Sequence, residues 1–284
     1  MVSDTVHVWH TTHLLKACAI FVPYCTVHLH SEDNAIAFLA GLQPSSSYVK
    51  NIMTLNIGKS VTIPTIVQVL TLCMNLNKLT LQTALCFISD ASKNPLMEPL
   101  YNLQCLKKLH IGLSATLMSY IVYLPDFQLF GCITHLHLAG VGIGTVIPDG
   151  IPMLPNLTHL SLQWNVTHYC SPTLREFLEH PSTVVLVLWM AGSMSKEEIE
   201  TELGWWGLAQ ARVVLLVTPQ IPVFMLDGGF WPYAECITQW WHVNKGVRCL
   251  SAVYLQISIS SIVEDLRCPT YLTQPLWYCW FLNE

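Results

Sequence analysis

Histidine is the side chain most suited to holding a metal or moving a proton near neutral pH, and the chain carries 12 of them. His7, His10 and His13 lie at i, i+3 and i+6, while His135 and His137 flank one residue of CITHLHLAG. Zinc takes four ligands in a closed tetrahedron, or three and a solvent position. Six residues along a helix turn the side chain by about 120°, so the first group does not converge on one ion unless the segment bends. No HExxH, no cysteine pair and no clustered carboxylate joins either group. No metal and no other cofactor is assigned.

Nucleophilic chemistry has no better footing. GxSxG, the P-loop and GxGxxG after a strand are all absent. VGIGT (141–145) reads as a turn whose glycines permit positive φ. No catalytic residue is assigned, and the expectation is a protein that is not an enzyme. A metal-dependent enzyme is the rival that a bound metal would revive. Of two glycosylation sequons, Asn156-Leu157-Thr158 sits beside an apolar row where a glycan clashes. Asn165, in the second, is placed to hydrogen-bond a turn backbone. A secreted repeat receptor, the other rival, needs a signal, an even set of capping cysteines and glycans.

Length and composition bound the remaining choices. A chain of 284 residues makes two ordinary domains or one elongated repeat domain. Hydrophobic residues are 52% and charged residues 11%, with a mean hydropathy of +0.44, so a membrane span is the first thing to test. Spanning helices need about 20 consecutive apolar residues. VVLVLWMAG (184–192) is far shorter, and ARVVLLVTPQIPVFML (211–226) is broken by Pro219, Gln220 and Pro222. No membrane span is expected. The first 25 residues lack a basic region before the apolar stretch, which carries Lys16 and Pro23, so they do not read as a secretory signal. The 11 cysteines are odd in number and irregularly spaced; Cys73, Cys105 and Cys132 sit among apolar neighbours and read as small core residues. These features predict a cytoplasmic or nuclear protein. The net charge of −5, without a run of one sign, argues against nucleic-acid binding.

What would position any of these side chains is a repeat. ITHLHL (133–138) and LTHLSL (157–162) share one pattern: apolar, two variable, Leu, one variable, apolar. CTVHLH, IMTLNI, LNKLTL, LKKLHI and TVVLVL repeat it, the last with Thr183 in the first slot. Centred on Val27, Leu55, Leu79, Leu109, Leu136, Leu160, Leu186 and, in VVLL, Leu215, the units are spaced by 28, 24, 30, 27, 24, 26 and 29 residues. That is a leucine-rich-repeat period. The two residues of L-x-L face inward together on a strand, and parallel stacking joins their rows into one core. Helical returns are predicted over 33–43, 65–75 and 171–180, with Ser171 an N-cap, and turns or a short 3₁₀ segment over 139–154. The predicted fold is α/β: an open leucine-rich-repeat solenoid, or horseshoe, whose parallel sheet has about seven or eight short strands.

The residues between the inward positions then line the concave face. They present Lys78, Thr80, Lys108, His110, His135, His137, His159 and Ser161, a mildly basic patch in an acidic chain and the candidate partner-binding surface. Solenoids bind on such surfaces, although exposed polar residues also line any solvated sheet. Val185, Val187 and Trp189 continue it as an apolar end, either a docking spot or a surface covered by residues 227–241. Trp205, Trp206, Trp231, Trp240, Trp241, Trp277 and Trp280 suit a cap over the open end of the core.

Several of these stretches resemble the fungal (basidiomycete) F-box/leucine-rich-repeat-like proteins. LLKACAIFV (14–22) resembles the late F-box helix, and CTVHLHSEDNAIAFLAGL (25–42) the strand and helix that follow it. SYVKNIMTLNI, LTLCMNLNKLTL and MLPNLTHLSL resemble the family's rungs, and DGGFWPYAECITQWW (227–241) its closing acidic-aromatic helix. The likeness covers roughly 14–246; the F-box's leading helices, with their Leu-Pro-x-Glu-like start, are missing, so the box is truncated or absent. The resemblance implies a helical vestige over 1–24, a repeat solenoid over 25–226, a capping helix over 227–246 and an aromatic tail over 247–284. It further implies a non-enzymatic recognition module, like the substrate-receptor part of a ubiquitin-ligase adaptor. Its partners would be a protein target and the cullin-ligase linker subunit. The alternative is a free-standing repeat scaffold, or a decayed paralogue without a ligase role.

Overall fold

The eight repeat units are eight strands: β1 (Cys25–Ser31), β2 (Ile52–Ser60), β3 (Lys78–Leu85), β4 (Lys108–Leu113), β5 (His135–Ala139), β6 (His159–Trp164), β7 (Val185–Ala191) and β8 (Val213–Thr218). They form one sheet in the order β1 to β8, every neighbouring pair parallel. The architecture is α/β with few helices. The computed structural model describes residues 25–42, 47–85, 95–113, 128–139, 150–164, 171–191, 198, 201, 204, 212–218 and 230–243. Residues 1–24 and 247–284, with His7, His10, His13, Asn165, Trp205, Trp206, Trp277 and Trp280, lie outside these.

Val27, Leu55, Leu79, Leu109, Leu136, Leu160 and Leu186 are successive Cα partners, so seven rungs stack in the expected register. The eighth differs. Leu186 partners Val213 and Leu188 partners Leu215, which centres β8 two residues earlier than expected. In VVLLV every position is apolar, so no alternation marks which pair faces inward.

Between the strands run α1 (Glu32–Gly41), α2 (Ser47–Lys50), α3 (Ile63–Leu72), α4 (Met97–Tyr101), α5 (Ser171–Glu179) and, after β8, α6 (Trp231–Val243), with 3₁₀ turns at Gln128–Cys132 and Ile151–Met153. Phe38, Ile66, Val69, Leu70, Leu174, Phe177 and Leu178 from these returns pack on the inward strand rows to form one aliphatic core. Full burial of each such side chain contributes about 1.5–3 kcal/mol. Thr183, buried where other rungs have Ile or Leu, donates its hydroxyl to the Phe177 carbonyl at 2.5 Å. Of the cysteines, Cys73 is buried, but Cys105 is exposed and Cys132 half-exposed, which corrects the expectation that all three lie in the core.

Adjacent rungs are tied by a recurring pair of backbone bonds. Lys107 and Lys108 donate to Asn77 O, Thr134 and His135 to Lys107 O, and Thr158 and His159 to Thr134 O, all at 2.8–3.1 Å. Side chains also reach between rungs. The Glu32 carboxylate accepts from Thr62 N at 2.6 Å and from the Thr62 and Thr65 hydroxyls, supplying the anion at the start of α3 that Thr62 does not provide itself. The Thr62 N–H first, then the Thr65 hydroxyl, holds the Glu32 carboxyl below the usual range. Arg212 donates to the carbonyls of Leu178, His180 and Thr183 and so caps the end of α5.

Two glycines are required by local geometry. A Cβ on Gly58 would sit 2.8 Å from His30 O, beside the register shift between β1 and β2. Gly150, with φ 84°, opens the 3₁₀ turn that leads to β6.

Candidate functional site

The sheet has a second face, and every candidate recognition residue lies on it. The register joins them in two columns: Lys78, Lys108, His135 and His159 in one, Thr80, His110, His137 and Ser161 in the other. Lys78, Lys108 and His135 are half-buried, whereas Thr80, His110, His137, His159 and Ser161 are buried. The expectation that these polar residues line a solvated concave surface is therefore corrected. Over β5 to β8 the cover is α6 and the residue before it. Phe230 lies edge-on to Trp189 at 5.0 Å and to His137 at 5.7 Å, and Trp231 edge-on to His135 at 5.3 Å and His159 at 5.5 Å. Val185, Val187, Trp189, Val214, Phe230, Trp231 and Ala234 are all buried. Of the two readings of the apolar end, the covered one holds. The closing helix lies across the sheet face as well as near its last strands.

Burial decides the charge of these histidines. Taking an imidazolium out of water disfavours it, and this lowers His135 to about 3, helped by neighbouring His159 and Lys108. Burial and then the Lys108 ammonium lower His159 to about 4. Burial and then His110 hold His137 well below 6.5. At neutral pH the imidazoles of His135, His137 and His159 are therefore uncharged and add nothing to the basic patch.

Neutral rings in a closed space stack. His135 and His159 lie parallel, 7° apart in plane with centroids 3.9 Å apart, and His110 and His137 lie tilted at 4.0 Å. Beside the second pair, Trp189 donates its indole N–H to Ser161 Oγ at 2.6 Å, and Ser161 Oγ stands 2.8 Å from His137 Nδ1. Ser161 Oγ, with one proton to give and two lone pairs, thus links the Trp189 indole to His137 Nδ1. In the first pair the duplicated Thr-His dipeptide sets the tautomers. Thr134 donates to Lys107 O and Thr158 to Thr134 O, each at 3.1 Å. Each threonine oxygen also stands within hydrogen-bond reach of the next ring, His135 Nδ1 at 2.8 Å and His159 Nδ1 at 2.7 Å, and accepts from it when the ring carries its proton on Nδ1. In that tautomer both rings present a bare Nε2.

Glu235 of α6 faces those nitrogens, its Oε1 3.2 Å from His159 Nε2 and 3.9 Å from His135 Nε2. In sequence no HExxH, cysteine pair or clustered carboxylate accompanies His135 and His137; the fold brings one carboxylate to His135 and His159 from a distant helix. Glu235 and Phe230 were not singled out in the sequence, and the available signal was the aromatic stretch at 227–241. Asn156 is exposed, but its Nδ2 donates to Gly131 O at 2.6 Å, as Asn75 Nδ2 does to Lys50 O at 3.0 Å. The sequon asparagine thus ties one return to the next.

Among the described residues no helix is long and apolar enough to cross a membrane. The chain matches no protein-family model and no curated protein.

Proposed function

We propose that this chain is a leucine-rich-repeat solenoid whose work is non-enzymatic protein recognition, as in the substrate-receptor part of an F-box adaptor. The observation that carries the reading is a polar, half-exposed column that runs along β1 to β4 of a sequential parallel sheet. Thr26, His28, Thr54, Lys78 and Lys108 are half-exposed and His30 is exposed. Strands about 4.8 Å apart make such a column an extended surface for a protein segment. We assign the partner to this half-exposed column of β1 to β4, since Trp231 of α6 lies against His135 and His159 in the same column of β5 and β6. Lys78 and Lys108 give that strip a positive lane and favour an acidic stretch in the target.

Site-specific photo-crosslinking tests this. A photoreactive residue at Thr54 should trap a protein partner, while one at Gln68, exposed on α3, should not. Equal trapping from both positions, or none from Thr54, overturns the reading. The ligase half rests on residues 14–22 and their likeness to an F-box helix, and it is tested separately with the purified cullin linker subunit. Saturable binding, lost when residues 1–24 are removed, supports an adaptor. No binding leaves the free-standing scaffold.

A further inference from the structure

We propose that His135, His159 and Glu235 form a site for one zinc-class divalent cation, held by the two ring Nε2 atoms and a carboxylate oxygen, with solvent at the fourth position. The inference is independent of the recognition strip and rests on different residues.

The three donor atoms lie within 4.8 Å of one another. Bonds of about 2.0–2.2 Å in a tetrahedron put ligand atoms about 3.3–3.6 Å apart. The 3.2 Å from His159 Nε2 to Glu235 Oε1 already fits, and the 3.9 Å from His135 Nε2 needs closing by about 0.5 Å. Because the rings are stacked on neighbouring strands, their Nε2 lone pairs lie in nearly parallel planes, and each ring must swing out of the stack by roughly 50° for both to meet one tetrahedral ion. The threonine hydroxyls hold Nδ1–H on both rings, the arrangement that outer partners impose on metal-binding histidines.

A second observation points the same way. His159 is 7% exposed, and its Nε2 is buried without a hydrogen-bond partner despite the nearby carboxylate oxygen. Two bare imidazole nitrogens facing a carboxylate repel it, and a cation between them reverses the sign. Imidazole with carboxylate suits zinc, cobalt or copper better than magnesium or calcium. Trp231 walls one side of both rings, and Glu235, 38% exposed in its side chain, leaves an entry from solvent. Lys108, on the strand beside His135, repels a cation and weakens the site.

The test uses the full, tag-free chain, stripped with chelator and titrated with Zn²⁺ by calorimetry and with Co²⁺ by visible absorption. One equivalent should bind, with the intense cobalt bands of a tetrahedral site. Glu235→Gln, at a half-exposed position that does not threaten the fold, should weaken binding by at least the roughly 10–100-fold typical of losing a supporting partner. His159→Ala should abolish it and Lys108→Ala should tighten it, while changing His7, His10 and His13 together to Ala should leave it unchanged. Absence of stoichiometric binding overturns the proposal, the trio then being held by a shared proton. So does binding that Glu235→Gln leaves unaltered, since the ion then sits elsewhere.

Discussion

On the side of the sheet that faces α1, α3 and α5, each rung contributes leucine, isoleucine or valine, and burial alone holds the layer together. On the other side the same periodicity places Thr80, His110, His137, His159 and Ser161 out of water, the last three beside Trp189, Phe230 and Trp231. Among the described residues of the first layer, the buried Thr65 hydroxyl bonds to Glu32 and the buried Thr183 hydroxyl to the Phe177 carbonyl. In the second, threonine and serine hydroxyls pair with Nδ1 of His135, His159 and His137, and burial favours the uncharged form of these three rings. One repeat thus builds two layers with different sensitivities: one to volume, the other to protons and hydrogen-bond partners.

The sharpest separation comes from deleting volume. Leu136 is fully buried in the aliphatic layer, and Leu136→Ala should cost about 2–5 kcal/mol at any pH. Urea midpoints at pH 7.5 and pH 6 should fall in parallel with the parent protein. A deficit that grows with acidity would show that the layers are not independent.

Acid should strike the other layer. His135 and His159 titrate in the fold at about 3 and about 4, against 6.5 when unfolded. Above 6.5 both states are neutral and stability does not depend on these rings. As pH falls through 6.5 the unfolded chain takes up protons that the fold refuses, so stability declines by about 1.4 kcal/mol per pH unit for each ring until the folded value is reached. Between pH 6.5 and 5, in EDTA, the two together should cost about 2–4 kcal/mol. Glu32, lowered from 4.5, contributes only at lower pH, since its protection is lost as pH falls through its own range. A urea midpoint that stays level from pH 7.5 to 5 would mean the rings are charged in place.

The aliphatic layer was legible in the sequence and the histidine layer was not, for a physical reason. Leucines two apart on a strand announce an inward row, and Val27 to Leu186 stand in the register their spacing predicts. A polar column beside them announces only the opposite face. Whether His137 meets water depends on Phe230, contributed by a segment that returns from beyond β8, and no local period reports such a return. Glu235 became a partner of His159 by the same route. The slip at Val213 has a local cause, an apolar run without alternation, and α2 and α4 are too short to show a helical period. Cys105 is exposed although Leu103 and Leu106 lie on either side of it, because those two turn into the core while it and Gln104 do not.

Within the histidine layer, Ser161 carries more than one obligation. Ser161→Ala removes the acceptor of the Trp189 N–H and the partner of His137 Nδ1 in a fully buried place, and should cost about 1–3 kcal/mol. Near-ultraviolet circular dichroism should show the tryptophan signal change while the far-ultraviolet spectrum holds. If stability is unaltered, water or a rotated ring has replaced the serine, and the layer is less closed than its burial indicates.

The smallest effect on stability is the most informative about order. Thr158 passes its proton to Thr134 O and accepts the Nδ1–H of His159. Valine has the same shape without either function, so Thr158→Val should cost only about 1 kcal/mol, since the site is part-buried and the packing is kept. Its larger consequence is electronic. With the acceptor gone, nothing holds the proton on Nδ1, and the Nε2–H form, which can donate to Glu235, becomes the better tautomer. Nitrogen-15 shifts of the His159 ring should exchange their assignments, while those of His135, held by Thr134, stay as they were. Zinc affinity should drop by about tenfold or more, as when an outer partner is lost. Unchanged ring shifts would mean that the stacking of His135 on His159, and the closure of Trp231 over both, set the tautomer without the threonine.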